Sequence, residues 1–199
     1  MHDWAVDDDG SALLRRWLID TTDPHSAALH SERVALLAAT LAGALGIHDD
    51  AWLEALRIGS AVHDIGKLAV PDSILNKPGP LTDDEWGTMR RHSEWGARLV
   101  ERLGMSAAVR EAVRHHHERW DGTGYPDGLA GEEIPLSARL VCVVDVYDAL
   151  TSERSYRRAL SREEAIEVMN DEAGHTLDPH IYSVFRSAVA HTDPRSVAA

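Results

Sequence analysis

The chain predicts an all-α fold, a helical bundle with a glycine-rich loop set into it. Apolar residues return at helical spacing, as in Val34, Leu37, Ala38 and Leu41. Two helix starts are written out as capping boxes, Thr82 with Glu85 and Ser161 with Glu164. Period-two alternation is nearly absent. Val141 to Val144 would pass for a buried strand, but its flanks fit a helix better.

The elements follow in order. Residues 1–9 are acidic and polar. Ser11 to Asp20, with Leu13, Leu14, Trp17 and Leu18, reads as a short amphipathic helix, a brace in preference to a contact for a partner. Asp23-Pro24 opens a helix that runs to about Leu45 and ends at Gly46. The next covers about Asp50 to His63 and stops near Asp64-Ile65-Gly66-Lys67. A loop with Pro71, Pro78, Gly79 and Pro80 follows. Thr82 then starts one helix to about Leu103, carrying Met89, His92, Ala97 and Val100. Ser106 opens a helix that ends in His115-His116-His117. Beyond a glycine loop, Pro135-Leu136 leads into a long apolar helix to about Leu150. Ser161 caps a helix to about Glu172, and Asp178-Pro179 starts the last one, through Ile181, Val184 and Phe185.

Composition narrows the function class. The 199 residues suffice for one substantial domain, and 44% hydrophobic with 27% charged residues is ordinary for a soluble globular protein. The single cysteine, Cys142, lies in an apolar run and reads as a small buried hydrophobe. No disulfide can form within the chain, no basic-then-apolar leader is visible and no apolar run approaches a membrane span; the expected location is the cytoplasm. A formal charge of −13 argues against a nucleic-acid polymer or an acidic membrane as partner. It leaves room for a phosphate substrate, because bound divalent ions invert the local field.

Two segments carry chemistry. His116 to Pro126 places adjacent imidazoles, about 100° apart on a helix end, before a turn that presents Tyr125 ahead of a proline. His63-Asp64 sets an imidazole beside a carboxylate able to bridge two ions, with Lys67 three residues on. His30 and His92 lie on other helices. Asp145 and Asp148 sit inside the apolar run from Val141 to Ala149, where a carboxylate is costly unless it is paired or on a metal. Taken singly, each histidine is better read as an ordinary helix histidine and His63-Asp64 as a surface or capping pair. Together, His30, His63, Asp64, His92, His116, His117 and Asp145 supply nitrogen and oxygen ligands from several helices of one bundle.

These segments resemble the HD-GYP domain, a branch of the HD phosphohydrolase superfamily. The resemblance runs from about Asp23 to Ala190. It rests on His30-Ser31-Glu32-Arg33-Val34, His63-Asp64-Ile65-Gly66-Lys67, Pro71 to Gly79, Met89-Arg90-Arg91-His92, His116 to Leu129 and Asp145 to Ser152, in that order. It implies an HD-type bundle over 23–199, with 1–22 as an acidic leader and short helix. It also implies two or three metal ions, usually iron or manganese, and hydrolysis of cyclic di-GMP. By position, His30, His63, Asp64 and Asp145 resemble the ligands of one ion. Asp64, His92, His116 and His117 resemble those of the other, with Asp64 bridging. Lys67 resembles the contact to the scissile phosphate and Tyr125 the ring that packs on the nucleotide. Arg154 and Arg157 match basic positions that hold phosphates or guanine; their plainer reading is a solvated helix-end face. Glu118, Asp121 and Asp148 read as supporting groups, and His115 as facing away.

The chain departs from the family pattern at two places. Members with a third metal carry a glutamate where this chain has Ser26, so two metals are expected. The family's proline between Arg154 and Tyr156 is Ser155 here. The expected reaction is attack on one phosphodiester by a hydroxide bridging the metals about 3.5–4 Å apart, giving linear pGpG, with slower cleavage to GMP. The rivals are a phosphohydrolase of another nucleotide and a non-catalytic cyclic-dinucleotide binder or scaffold. No receiver or sensor domain is expected before Asp23. Regulation is expected through expression, a protein partner or a homodimer formed by the N-terminal helix.

Overall fold

The structure, a computed structural model, describes residues 24–153 and 158–191. The expectations for the Ser11–Asp20 helix, for the Ser26 side chain and for Arg154, Ser155 and Arg157 fall outside the described part. Helix α1 spans Pro24–Ala44 and α2 Asp50–Ala61; a 3-10 segment follows at Ile65–Ala69. Then come α3 (Asp72–Leu75), α4 (Asp83–Arg90), α5 (His92–Arg102) and α6 (Ala107–His115). The last three helices are α7 (Leu136–Thr151), α8 (Arg162–Glu172) and α9 (Pro179–His191). Among the described residues there is no strand, only an isolated bridge between Ala173 and Leu177. The expected all-α class holds.

Local chemistry accounts for most helix ends. Both expected capping boxes form, at Thr82 with Glu85 and at Ser161 with Glu164. Ser106 caps α6 through the Val109 N–H, and the Asp178 carboxylate accepts from the His180 and Ile181 N–H groups at the start of α9. Gly46, beyond α1, takes φ +76°, the left-handed conformation that closes a helix. The single helix expected from Thr82 to Leu103 is instead two. The Arg91 N–H bonds back to the Thr88 carbonyl in a tightened turn, and α5 restarts at His92. The turn of α3 lies in what reads as loop from sequence.

Helix α7 is the centre of the bundle. Leu140 through Val144 are all buried, so it is apolar on every side, as a helix surrounded by others must be. Its larger core joins it to α1 through Val34, Ala38 and Leu41, and to α8 and α9 through Met169, Ile181 and Phe185. A second core, Ala55, Ile65, Val100, Val109 and Val113, ties α2 and the 3-10 segment to α5 and α6. Between the two cores, the C-terminal end of α2, the start of α5 and the end of α6 face the middle of α7.

One glycine contact sets that arrangement. A β-carbon at Gly66 would overlap the His92 carbonyl and press on the Gly96 backbone nitrogen. Only glycine lets the 3-10 segment lie directly against the first turn of α5, which brings His63 and Asp64 next to His92. Gly66→Ala should therefore cost about 3 kcal/mol, the upper end for overpacking against backbone that cannot yield. Thermal unfolding should report this as a fall of roughly 6–12 °C. Gly87→Ala, on α4 with no atom near the new methyl, should be neutral or stabilising by up to about 1 kcal/mol. Equal effects at the two positions would show that the Gly66 contact is not close.

Candidate metal centre

The site is built from ring orientation upward. The Nδ1–H of His63 donates to the Ser60 carbonyl at 2.7 Å, that of His92 to Met89 at 2.8 Å and that of His116 to Val113 at 2.8 Å. Each acceptor lies three residues upstream, and a carbonyl can only accept, so each Nδ1 carries the proton. Each Nε2 then points away from its own helix and offers a lone pair whenever the ring is neutral. His30 on α1 is held differently: its Nδ1–H donates to Asp148 Oδ2 at 2.7 Å. Asp148 is gripped in turn by Arg33, Nε to Oδ1 at 2.5 Å and Nη2 to Oδ2 at 3.0 Å, and by the Ser152 hydroxyl at 3.2 Å. Metal-binding histidines are oriented in this way.

The four Nε2 atoms meet in pairs. His30 Nε2 is 3.4 Å from His63 Nε2, and His92 Nε2 is 3.4 Å from His116 Nε2. Two acceptor lone pairs turned on each other at that distance repel unless a cation or proton lies between them. Asp64 sits between the pairs, Oδ2 3.5 Å from His63 Nε2 and Oδ1 3.3 Å from His92 Nε2. Asp64 Oδ1 is buried and receives no hydrogen bond among the described residues. Asp145, from the middle of α7, places Oδ1 3.5 Å from His30 Nε2. One ligand atom each from Asp64, His92, His116 and His117 lies within 4.8 Å of the others, and the same holds for His30, His63 and Asp145. All seven expected ligands thus come together in two adjacent sets, each able to hold a metal ion.

The electrostatics match. Burial opposes charge on His63, but the Asp64 and Asp145 carboxylates outweigh it and push its pKa up to about 9. A field that draws a proton onto a buried imidazole draws a divalent cation for the same reason. Burial, with the charge on His63 adding to it, pushes His116 down to about 4, and burial takes His117 well below its ordinary value, which keeps their lone pairs free at neutral pH. Burial works against the Asp64 carboxylate as well, yet Lys67 and His63 hold it well below the usual range.

Lys67 Nζ lies 2.5 Å from Asp64 Oδ2. Tyr125 stacks on His117, ring centroids 4.8 Å apart and planes 29° from parallel, so an imidazole already covers part of the ring expected to meet a nucleotide. The loop carrying Tyr125 is pinned from inside: the buried Glu118 carboxylate accepts from the Asp127 and Leu129 N–H groups, and Asp121 from the Thr123 N–H and hydroxyl. A β-carbon at Gly124 would strike the Arg119 nitrogen and the Glu118 backbone. A cavity of about 260 Å³ opens beside the ligands, lined by Arg90, His117, Tyr125, Cys142, Asp145 and Val146 among others. A third group, His115, Glu118 and Asp127, is drawn together off the centre. Its carboxylates are already engaged, Glu118 by backbone N–H groups and Asp127 by the Arg114 fork.

Two contributors were not singled out from sequence. Arg33 lies inside a motif quoted for its histidine, and the only signal for its part is its place one turn after His30. Arg90 stands in a tandem with Arg91, which gives no hint of which one faces the site.

A bundle that gathers imidazoles and carboxylates from five helix-linked positions into two adjacent sets, each able to hold a cation, defines the class: an all-α protein with a candidate metal centre. The chain belongs to the HD domain family, whose sequence profile matches residues 15–181, and to its HD-GYP branch. It is 47% identical over 180 residues to the cyclic di-GMP phosphodiesterase PA4108 of Pseudomonas aeruginosa, covering 90% of this chain and 43% of that protein. It is 36% identical over 174 residues to the 3′3′-cGAMP-specific phosphodiesterase 3 of Vibrio cholerae, covering 86% of this chain and 37% of that one. Among solved structures, the HDG"Y"P protein Bd1817 of Bdellovibrio bacteriovorus superposes with a TM-score of 0.67 at 23% identity, over 91% of this chain and 57% of its own. The chain spans less than half the length of these two curated relatives. No helix among the described residues is long and apolar enough to cross a membrane.

The Asp148 contact has a pH signature. Burial raises its carboxyl pKa, but His30 and Arg33 outweigh that and bring it down to about 2 from an ordinary 3.8. A depressed carboxylate stabilises the fold above its unfolded pKa and loses that contribution as pH falls through the folded one. The contribution is about 2 kcal/mol. In urea unfolding of the chelator-treated protein, Asp148→Asn should be less stable than wild type by about that much at pH 6, and the gap should close between pH 4 and pH 2. A gap independent of pH would mean that Asp148 acts through packing and not through its charge.

Proposed function

We propose that the protein is a metal-dependent phosphodiesterase that opens cyclic di-GMP to linear pGpG, with slower onward cleavage to GMP. The observation that carries this is the pair of opposed imidazole nitrogens flanking the unpartnered Asp64 oxygen. In this reading residues 23–199 form the catalytic domain, working in the cytoplasm, and regulatory contact with a partner or a second copy runs through Ser11–Asp20. Two divalent ions, iron or manganese, would be held by His30, His63, Asp64 and Asp145 on one side and by Asp64, His92, His116 and His117 on the other. Such a pair supplies Lewis acidity and lowers the pKa of water for in-line attack on a phosphodiester. The names of the Pseudomonas and Vibrio relatives support a cyclic dinucleotide as substrate.

The chain's own groups then do the following. Asp148 and Arg33 hold the His30 tautomer. Lys67, partly exposed beside Asp64, meets the negative charge that grows on the phosphoryl oxygens. Tyr125, braced on His117, forms the wall beside the leaving nucleotide. Arg154 and Arg157 contribute cations toward the phosphates or a guanine. A non-catalytic binder would need none of the acid–imidazole pairing at the centre.

The decisive measurement is anaerobic purification with metal quantification, followed by chromatography of products from cyclic di-GMP, 3′3′-cGAMP and cyclic di-AMP. About two equivalents of metal and linear pGpG are expected; a loaded protein that leaves every cyclic dinucleotide intact would falsify the proposal. Lys67→Met should lower kcat by about 10²–10³-fold while the metal content stays at the wild-type value. Arg33→Met, which touches no ligand, should weaken retention of one ion by about 10–100-fold and leave the other bound, as read by chelator competition.

A further inference from the structure

Arg90 closes α4 two residues before the ligand His92. Its guanidinium carbon lies 5.5 Å over the Tyr125 ring and its side chain lines the cavity beside the metal centre. The neighbouring Arg91 is occupied elsewhere, 4.9 Å over the Trp95 ring. Other arginines of this acidic protein are claimed by carboxylates: Arg33 by Asp148 behind His30, Arg119 by Asp121 in the cavity wall, and Arg114 by Asp127 and Arg139 by Asp178 farther off. Among the described residues, the Arg90 guanidinium has no hydrogen bond and no ion pair. Its N–H groups are held over an aromatic ring in the cavity wall and remain available to a ligand.

The cavity's other walls say what kind of ligand group. Tyr125, Cys142 and Val146 form one part of its wall and Glu118, Arg119, Thr123 and Thr176 another, whereas Lys67 stands on Asp64, outside that lining. The Tyr125 ring offers an aromatic surface that suits the plane of a base and gives a phosphate nothing. At about 260 Å³ the cavity lies just below the usual range of about 300–1,000 Å³ for whole-ligand pockets, so it takes part of a dinucleotide. A guanidinium fork presents two parallel donors. The N7–O6 edge of guanine presents two matching acceptors, whereas the same edge of adenine presents one acceptor and one donor. Adenine would leave one Arg90 N–H facing another N–H.

We infer that Arg90 is a specificity-determining residue, reading the N7–O6 edge of a guanine seated against Tyr125, and so favours guanine over adenine in the half of the substrate next to the metal centre. This rests on the phosphodiesterase reading above and extends it to base choice.

The test compares metal-loaded wild type with Arg90→Lys and Arg90→Met, each checked for unchanged metal content and helical circular dichroism. Dissociation constants for cyclic di-GMP and cyclic di-AMP are measured by calorimetry under conditions that prevent turnover. Lysine keeps the charge and loses the fork. Both variants should therefore weaken cyclic di-GMP by about 10–100-fold and move cyclic di-AMP by less than threefold, which collapses the guanine–adenine ratio. If Arg90→Lys matches wild type while Arg90→Met weakens both ligands alike, the residue is a phosphate contact and the inference is overturned. It is equally overturned if both variants match wild type. A wild-type protein that neither binds nor cleaves a cyclic dinucleotide overturns the phosphodiesterase reading itself. A wild type that cleaves cyclic di-GMP, with variants that retain its base preference, overturns only the role of Arg90.

Discussion

Three buried imidazoles each give their Nδ1 proton to a backbone carbonyl three residues upstream, and a fourth gives it to Asp148. Those four bonds decide the chemistry of the centre. Had the protons sat on Nε2, the rings would present donors to Asp64 and Asp145, and the cluster would be a satisfied network with no affinity for a cation. With Nδ1 protonated, lone pairs crowd a small volume and one carboxylate oxygen lies buried without a donor. The folded chain therefore carries an unfavourable arrangement of negative and lone-pair density that positive charge relieves, and the rise of His63 to a pKa of about 9 expresses the same field.

Backbone contacts hold that arrangement in place. The ligands do not share one helix. His63 and Asp64 follow α2, His92 begins α5, His116 and His117 follow α6, and only His30 and Asp145 sit within helices. Helix ends are where a ring can turn back to a carbonyl that no longer has a helical partner, so placing histidines there satisfies the backbone and aims the ring in one step. Bringing three such ends together needs close approach, and the contact of Gly66 with the first turn of α5 permits it. The buried helix α7 then brings Asp145 to the centre and Asp148 to the back of His30 from one element, one helical turn apart.

Charge is distributed unevenly, so an acidic protein keeps cationic side chains at one place. The chain carries a formal −13. Several of its arginines are neutralised by carboxylates away from the centre, whereas Lys67 stands at the centre and Arg90 in the cavity wall. The local field of these side chains, with that of any cation held by the imidazoles and carboxylates, outweighs the net charge in deciding what can bind there.

The helices and all seven candidate ligands were readable from residue order alone. Capping boxes, helix-stopping glycines and the apolar period act within one or two turns, so Thr82, Ser161, Gly46 and the central apolar helix need no tertiary information. The seven ligand types were likewise visible, because motifs such as His63-Asp64 and His116-His117 are contiguous. Tertiary packing decided the rest. It turned one expected helix into two at Arg91, chose Arg90 over Arg91 for the cavity, set Asp64 between two pairs of imidazoles and covered part of the Tyr125 ring with His117. It also recruited Arg33, whose partner Asp148 lies 115 positions away. Propensity reaches only neighbours along the chain, whereas ring tautomer, bridging and side-chain pairing depend on which helix ends dock together, and that is settled by burial of the two cores on either side of α7.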